Sequence, residues 1–288
     1  MNDYVIYADS ACDISPELLE KWGVGCIYIT FNFTGESRIY KDNEIPADEF
    51  YARMKNGDVA KTAALNTENF KAYFRKAANE GKDVIYIGFS AGLSTTYTQS
   101  VLAAREMSEE MPERKFVCVD TSCASAGYGL LLSLAVKKRD EGASVEELAK
   151  FVEDVKPGVC HWFTVDDLEY LKRGGRISPT VAFVGNLLGI KPVLHVDDTG
   201  HLVNVTKVRG RRAAIAALCD KMGELAVNKG EGPVFISHAN CEDDAKLLAS
   251  MIKEKYGAET ELITNIGTVI GSHAGPGTLA LFFIGKER

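Results

Sequence analysis

The stretch Asp83-Val84-Ile85-Tyr86-Ile87-Gly88-Phe89-Ser90-Ala91-Gly92-Leu93-Ser94 decides the fold. Val84–Phe89 is a continuous apolar run, the signature of a strand buried on both faces. A Gly/Ser loop follows from Ser90 to Ser94, then a helical stretch from about Thr95 to Glu110, then a second apolar run over Lys115–Val119. Strand, helix and strand in that order make a βαβ unit, so the two strands are parallel.

The pattern extends outward in both directions. Upstream, Tyr4–Ala8 is a short apolar run ending in Asp9-Ser10, and a helix starts with Ser15 as N-cap and Pro16 in its first turn. Cys26–Phe33 is strand-like, and the turn signal Thr34-Gly35-Glu36-Ser37 predicts a hairpin-like excursion after it. Downstream, a helix runs from about Ser125 to Glu141 and stops at Gly142, and the capping box Ser144-Val145-Glu146-Glu147 opens another. The second half reads differently. Val159–Val165 is strand-like, and Val193–Val196 and Leu202–Val208 flank Asp198-Thr199-Gly200 as an antiparallel hairpin. A helix after Arg211, a strand over Pro233–Ser237, a helix over Glu242–Tyr256 and strands near Thr260 and over Leu279–Ile284 complete the chain. The expected architecture is two-domain α/β: an N-terminal parallel-sheet domain over residues 1–160 and a C-terminal α/β domain with a mixed or antiparallel sheet over 161–288. No Pro/Gly-rich linker separates the halves, so close packing of the two is expected.

A chain of 288 residues, 46% hydrophobic and 25% charged, can bury a sizeable core. Its net charge of −7 argues against nucleic acid as a partner, because phosphate binding needs a basic face. The start MNDYVIYADS has neither a basic n-region nor a long apolar h-region, so a cytoplasmic protein is expected. Leu279–Ile284 and Leu130–Val136 are too short to span a bilayer, which leaves at most transient membrane contact. Seven cysteines without a CxxC pair support neither a disulfide framework nor a metal site. Cys118 and Cys160 read as small core residues, whereas Cys12 and Cys123 lie near loops, where a reactive thiol would sit.

Three loops are able to carry chemistry. The Ser90–Thr96 loop joins a parallel strand to its crossover helix, where ligands of open α/β sheets bind and a helix start favours an anion. Ser94, Thr95 and Thr96 add hydroxyls there, and capping the helix is their ordinary use. In Leu171-Lys172-Arg173-Gly174-Gly175-Arg176-Ile177-Ser178 the paired glycines allow close approach, and Arg176 offers a planar fork of donors to an anion. The same pattern also suits a helix C-cap with solvated cations. Gly271-Ser272-His273-Ala274-Gly275-Pro276-Gly277 reads as a rigid loop around His273, which either serves a carboxylate or is merely exposed. No phosphate-cradling P-loop, GxGxxG after the first strand, GxSxG or HExxH is present, so neither cofactor nor metal is expected. Lys207, Arg209, Arg211 and Arg212 cluster where a hairpin strand meets a helix start. They oppose the helix dipole, so they read either as a solvated face or as a partner-docking surface.

Five segments in this order resemble the DegV family, whose members are fatty-acid-binding subunits of bacterial fatty acid kinase. They are Asp9-Ser10-Ala11-Cys12-Asp13, Gly92-Leu93-Ser94-Thr95-Thr96-Tyr97, Val119-Asp120-Thr121-Ser122, Tyr170-Leu171-Lys172-Arg173-Gly174-Gly175-Arg176-Ile177 and His273-Ala274-Gly275-Pro276-Gly277. The resemblance implies a long-chain fatty acid held between two α/β domains. Its carboxylate would be bound in loops at Thr62 and Ser94, with Thr95 and His273 beside them, and Arg176 and His273 would support phosphoryl transfer by a separate kinase catalytic subunit. On this reading the chain is a ligand-presenting subunit and not itself an enzyme. Two positions depart from the family pattern. Thr62-Ala63-Ala64-Leu65-Asn66 stands where Thr-Ser-Gln-Pro-Ser is usual, and Thr95 follows Gly92-Leu93-Ser94 where Gly is usual. The apolar stretches Val181-Ala182-Phe183-Val184 and Leu187-Leu188-Gly189-Ile190 are candidate acyl-chain lining. A competing reading is a stand-alone hydrolase or acyltransferase with Ser94 as nucleophile and His273 as base, for which the sequence offers no acid to orient the histidine.

Overall fold

The computed structural model describes residues 3–178, 189–229 and 231–288. Its first sheet contains β1 (Tyr4–Asp9), β2 (Val24–Ile27), β6 (Asp83–Gly88) and β7 (Phe116–Asp120), in the order β2-β1-β6-β7. Every pairing in it is parallel. Crossovers are made by α1 (Pro16–Lys21), α3 (Thr67–Asn79) and α4 (Thr96–Glu110). Ser15 caps α1 as expected, its Oγ accepting the Leu18 N–H at 3.2 Å.

The strand-like run over Cys26–Phe33 is two strands in two different sheets. The ladder breaks because the Ile29 N–H donates to Ser10 Oγ at 3.1 Å and the Ile29 carbonyl accepts from Asp42 N. After the break, β3 (Thr30–Phe33), β4 (Tyr40–Lys41) and β5 (Ala60–Ala63) form a small antiparallel sheet in the order β4-β3-β5. With α2 (Ala47–Lys55) it encloses an aromatic cluster of Phe31, Phe33, Tyr40, Phe50 and Tyr51.

Next come α5 (Ser125–Asp140) and α6 (Val145–Val155), the latter opened by the expected capping box at Ser144. The second sheet contains β8 (Val159–Thr164), β9 (Ile190–Val196), β10 (Leu202–Arg209), β11 (Phe235–His238), β12 (Leu262–Asn265) and β13 (Leu279–Ile284). Its order is β10-β9-β8-β13-β11-β12, and it is mixed, since only β11 and β12 pair in parallel. Helices α7 (Glu169–Arg173), α8 (Arg211–Leu225), α9 (Glu242–Tyr256) and α10 (Thr268–Ala274) complete the described elements. The expected pairing of an N-terminal parallel sheet with a C-terminal mixed sheet is therefore present. Among the described residues, no helix is long and apolar enough to cross a membrane.

Helix α5 is buried on nearly every face, as a helix apolar all round must be. It packs on β8, β11 and β13, and Gly127 makes the approach possible, because a Cβ there would collide with His161 and Phe282. One core thus runs from Ile6, Ile85 and Leu130 through to Phe163, Leu194 and Phe282 of the second sheet.

Candidate functional site

In the first sheet, β1 connects to β2 on one side while β6 and β7 continue on the other, so a crevice opens beyond the carboxyl ends of β1 and β6. Buried Asp9 ties the two loops at this switch point. Its carboxylate accepts the Ala11 N–H at 3.0 Å, the Tyr86 hydroxyl at 2.5 Å and the Phe89 N–H at 3.1 Å. Burial outweighs these donors and pushes its carboxyl up to about 6. Asp120 at the end of β7 holds the next turn, accepting from Ala91 N at 3.1 Å and Ser122 N at 2.9 Å. The Ser90–Ser94 loop is fixed on both flanks.

Ser94 lies at the start of α4. Its Oγ accepts the Thr96 N–H at 3.2 Å and hydrogen-bonds Thr96 Oγ1 at 2.9 Å, so it satisfies the first helical N–H from the position before the N-cap Thr95. Thr95 is exposed and makes no side-chain cap bond. Both border a cavity of about 480 Å³, together with Thr62, Arg176 and His273. That volume falls within the ~300–1,000 Å³ usual for small-ligand pockets. The walls are apolar and come from the segments after β2 and β6, from the second sheet and from α10, with Ile29, Phe89, Phe163, Leu202, Val269 and Phe282 among them.

Two expectations about local structure are corrected. Thr62 is in strand β5, not in a loop, and His273 is on helix α10, not in a rigid loop. The sequence hides this helix because Gly267 and Gly275 bracket it, Gly271 interrupts it and its start has no side-chain cap of its own. His273 Nε2 and Thr62 Oγ1 are 2.8 Å apart. Gly174 allows the ring its place, because a Cβ there would collide with His273 Nδ1. Nδ1 is buried and has no hydrogen-bond partner among the described residues. Burial, reinforced by the nearby Arg176 cation, pushes His273 down to about 4, so the ring is neutral near pH 7.

Arg176 donates through Nε to the Leu93 carbonyl at 3.2 Å and through Nη1 to the Gly174 carbonyl. Among the described residues no carboxylate pairs with this guanidinium. Burial draws its pKa downward, which reflects the cost of a cation without a counter-charge. One end of an apolar cavity thus collects a guanidinium that no described carboxylate neutralises, a neutral imidazole and hydroxyl groups. Such a set beside an apolar slot has the chemistry to receive an anion.

The sequence profile of the DegV family, described as uncharacterised proteins, matches residues 4–286. This chain belongs to the DegV family. A DegV domain-containing protein of Clostridium perfringens is 39% identical over 289 residues, covering 100% of this chain and 99% of the relative. A DegV family protein of Thermus thermophilus, described by its fatty acid binding, superposes with a TM-score of 0.88 at 30% identity, covering 99% and 100% of the two chains. A stearic acid-binding protein of Eubacterium ventriosum superposes with a TM-score of 0.88 at 26% identity, covering 98% of each.

The five residues that the DegV resemblance singles out, Thr62, Ser94, Thr95, Arg176 and His273, all line the one cavity. Val181-Ala182-Phe183-Val184 and Leu187-Leu188 lie outside the described residues, while Gly189 precedes β9 and Ile190 is its first residue. Sequence reasoning missed the walls formed by Phe163, Leu202, Val269 and Phe282, which come from elements that only tertiary packing brings together. His161 also lines the cavity but is satisfied, with Nδ1 2.9 Å from the Val159 carbonyl and Nε2 accepting the Ala124 N–H at 3.3 Å. The hydrolase reading needs a Ser94–His273 hydrogen bond, but His273 Nε2 is bonded to Thr62 and Ser94 Oγ to Thr96.

The four cations divide. Arg211 is held inward by Asp244 at 2.8 Å, Asp166 at 3.6 Å and Cys241 Sγ at 3.4 Å, so for this residue local structure is a sufficient role. Arg209 and Arg212 are exposed, and Lys207 is half-buried. Cys12 and Cys123 are buried, and burial raises both thiols, Cys123 to about 11, so neither is a poised nucleophile.

Proposed function

We propose that this chain binds one long-chain fatty acid between residues 1–160 and 161–288 and presents its carboxylate to a separate kinase catalytic subunit for conversion to an acyl-phosphate. The observation that carries the reading is the Arg176 guanidinium, without a described carboxylate partner, at the end of an apolar cavity of about 480 Å³. An anionic head with a long apolar tail satisfies both at once. Thr62 and Ser94 supply hydroxyl donors to the head group, with Thr95 and His273 beside them. Arg176 and His273 sit where charge builds up as the carboxylate attacks a phosphoryl group.

The tail supplies the affinity. Each buried methylene contributes roughly 0.8 kcal/mol, so a long acyl chain gives more than about 10 kcal/mol before ordering costs are subtracted. The fatty-acid-binding DegV proteins of Thermus thermophilus and Eubacterium ventriosum support the ligand class. The kinase partner rests on the resemblance and on the exposed cations Arg209 and Arg212.

The test is denaturing extraction of protein purified from a bacterial host, followed by mass spectrometry of the released lipid. About one fatty acid per chain is expected. Repeated preparations with no extractable lipid, and no uptake of added fatty acid, would sink the reading. Turnover of activated esters that disappears in Ser94→Ala would favour the hydrolase instead.

A further inference from the structure

Helix α10 has seven residues, and nothing in its own sequence holds its start. Its N-cap is Gly267, which has no side chain to accept the free N–H groups of the first turn. Two carboxylates from far upstream do so. Asp13 Oδ1 accepts the Gly267 N–H at 2.8 Å. Asp42 Oδ1 accepts the Thr268 hydroxyl at 2.7 Å and the Val269 N–H at 3.2 Å. Thr268 Oγ1 in turn accepts the Asn43 N–H at 3.3 Å. Asp13 and Asp42 are only 3% and 2% exposed, so these bonds form away from competing water.

The helix is held along its length as well. Tyr51 donates to the Ile266 carbonyl at 2.7 Å, and its ring packs so closely on Gly271 that no Cβ fits between them. Val269, Ile270 and Ala274 face the cavity, and His273 in the last turn meets Thr62. A short helix anchored at its first turn transmits any shift there to its last.

Asp42 Oδ2 is buried without a hydrogen-bond partner among the described residues. The carboxylate's bonds to the first turn of α10 all go through Oδ1, and a buried carboxyl depends on such partners. Packing alone gives it no role, whereas Oδ1 holds the arm that carries a site residue.

We propose that Asp42, assisted by Asp13, is a positioning residue for the anion site: by anchoring the start of α10 it fixes where His273 stands relative to Thr62 and the bound carboxylate. The proposal rests on the fatty-acid reading given above and names a residue on which that site depends without touching the ligand.

The experiment compares a fatty acid with the alcohol of the same chain length, bound to wild type, Asp42→Ala and Asp42→Asn. The alcohol fills the same slot but carries no anion. Asp42→Ala is expected to weaken the acid about fivefold, the size of a lost helix cap, and to leave the alcohol within about twofold. Asp42→Asn keeps an acceptor for Thr268 and Val269 and is expected to restore the acid to within about twofold of wild type. In a His273→Ala background, Asp42→Ala is expected to have no further effect, because its route to the ligand is already gone.

Equal weakening of acid and alcohol, or the full loss persisting in the His273→Ala background, would mean that Asp42 only stabilises the fold. Wild-type affinity in Asp42→Ala would overturn the proposal alone. A wild-type protein that takes up neither ligand overturns the carrier reading and this proposal with it. If Asp42→Ala does not fold, Thr268→Val removes one donor of the same anchor and is read by the same comparison.

Discussion

His273 Nε2 lies 2.8 Å from Thr62 Oγ1, although the two residues are 211 positions apart. Thr62 comes from the edge strand of the small antiparallel sheet and His273 from the last turn of α10, so the bond ties that sheet to the helix. It also leaves His273 Nδ1 turned toward Gly174.

The first prediction concerns these head-group donors. Hydrogen bonds to a charged group contribute roughly 1.5–3 kcal/mol, so Thr62→Ala and Ser94→Ala are each expected to weaken fatty-acid binding by about tenfold or more. Thr62→Ser should retain most of the affinity, since it keeps the hydroxyl. The fold should survive, because a single alanine in β5 leaves its backbone pairing with β3 intact. Isothermal titration against a delipidated protein gives the comparison. A double variant that binds as tightly as wild type would place the site elsewhere.

The second concerns the protonation of His273. With its pKa pushed down to about 4, the ring is neutral at about pH 5.5, where an ordinary histidine near 6.5 is mostly charged. A bound carboxylate favours the charged ring, so the ligand should raise this pKa and binding should take up a fraction of a proton just above pH 4. Nitrogen-15 shifts of the imidazole, followed through a pH titration with and without fatty acid, report both effects. Titration of His273 near 6.5 in the ligand-free protein would contradict the desolvated environment described for it.

The third is a pH dependence of stability. Asp9 is raised from 3.8 to about 6 in the folded protein, so the native state holds this proton more tightly than the unfolded chain does. Its contribution is therefore full below about 3.8 and is lost as pH rises to about 6. A rise of that size corresponds to about 3 kcal/mol. Asp9→Asn cannot titrate. Whatever its constant offset, the stability of wild type relative to this variant should fall by about 2 kcal/mol between pH 3.8 and 6, the rest developing just outside that window. Urea midpoints across this window measure the difference, and a flat difference would show that Asp9 titrates in the native state as it does in the unfolded chain.

Some of these features are open to inspection in the sequence and others are not. Asp83–Gly88 reads as a central strand because both its faces are buried and the residues alone say so. The Ser144 capping box and the Asp198-Thr199-Gly200 hairpin are local as well, set by residues three or four apart. Thr62 is harder. In Ala60-Lys61-Thr62-Ala63 neither the alternation nor the length marks a strand, and β5 exists because β3 pairs with it. Helix α10 is invisible for the same reason, since its anchors Asp13 and Asp42 are more than two hundred positions upstream. Arg211 reads as one of four surface cations, whereas its carboxylate partners lie 45 positions before it and 33 after.

That division of the cations leads to the last prediction, which separates docking from transfer. Arg209 ends β10, Arg212 lies in the first turn of α8, and both are exposed. Arg211 between them is committed to Asp166 and Asp244, and Asp166 also holds Lys191 at 2.6 Å. Asp166 in turn lies against Gly277, just past α10, so the cationic strip borders the loop that follows His273. Exposed charge on a rim acts chiefly on association rate and weakens with salt. The double variant Arg209→Glu, Arg212→Glu should therefore bind fatty acid normally, yet lose complex formation with the kinase subunit and with it acyl-phosphate production. Arg211→Glu is a poor probe, because it would place a third carboxylate against Asp166 and Asp244 and destabilise the fold. Arg176→Ala and His273→Ala should behave in the opposite way to the rim variant, keeping the complex while impairing transfer, because both residues line the cavity. Pull-down and acyl-phosphate formation, measured on the same preparations at low and moderate salt, distinguish the two groups. Full phosphorylation by the rim variant at moderate salt would place the docking surface elsewhere, and loss of complex formation in Arg176→Ala would make that residue part of the interface rather than of the transfer site.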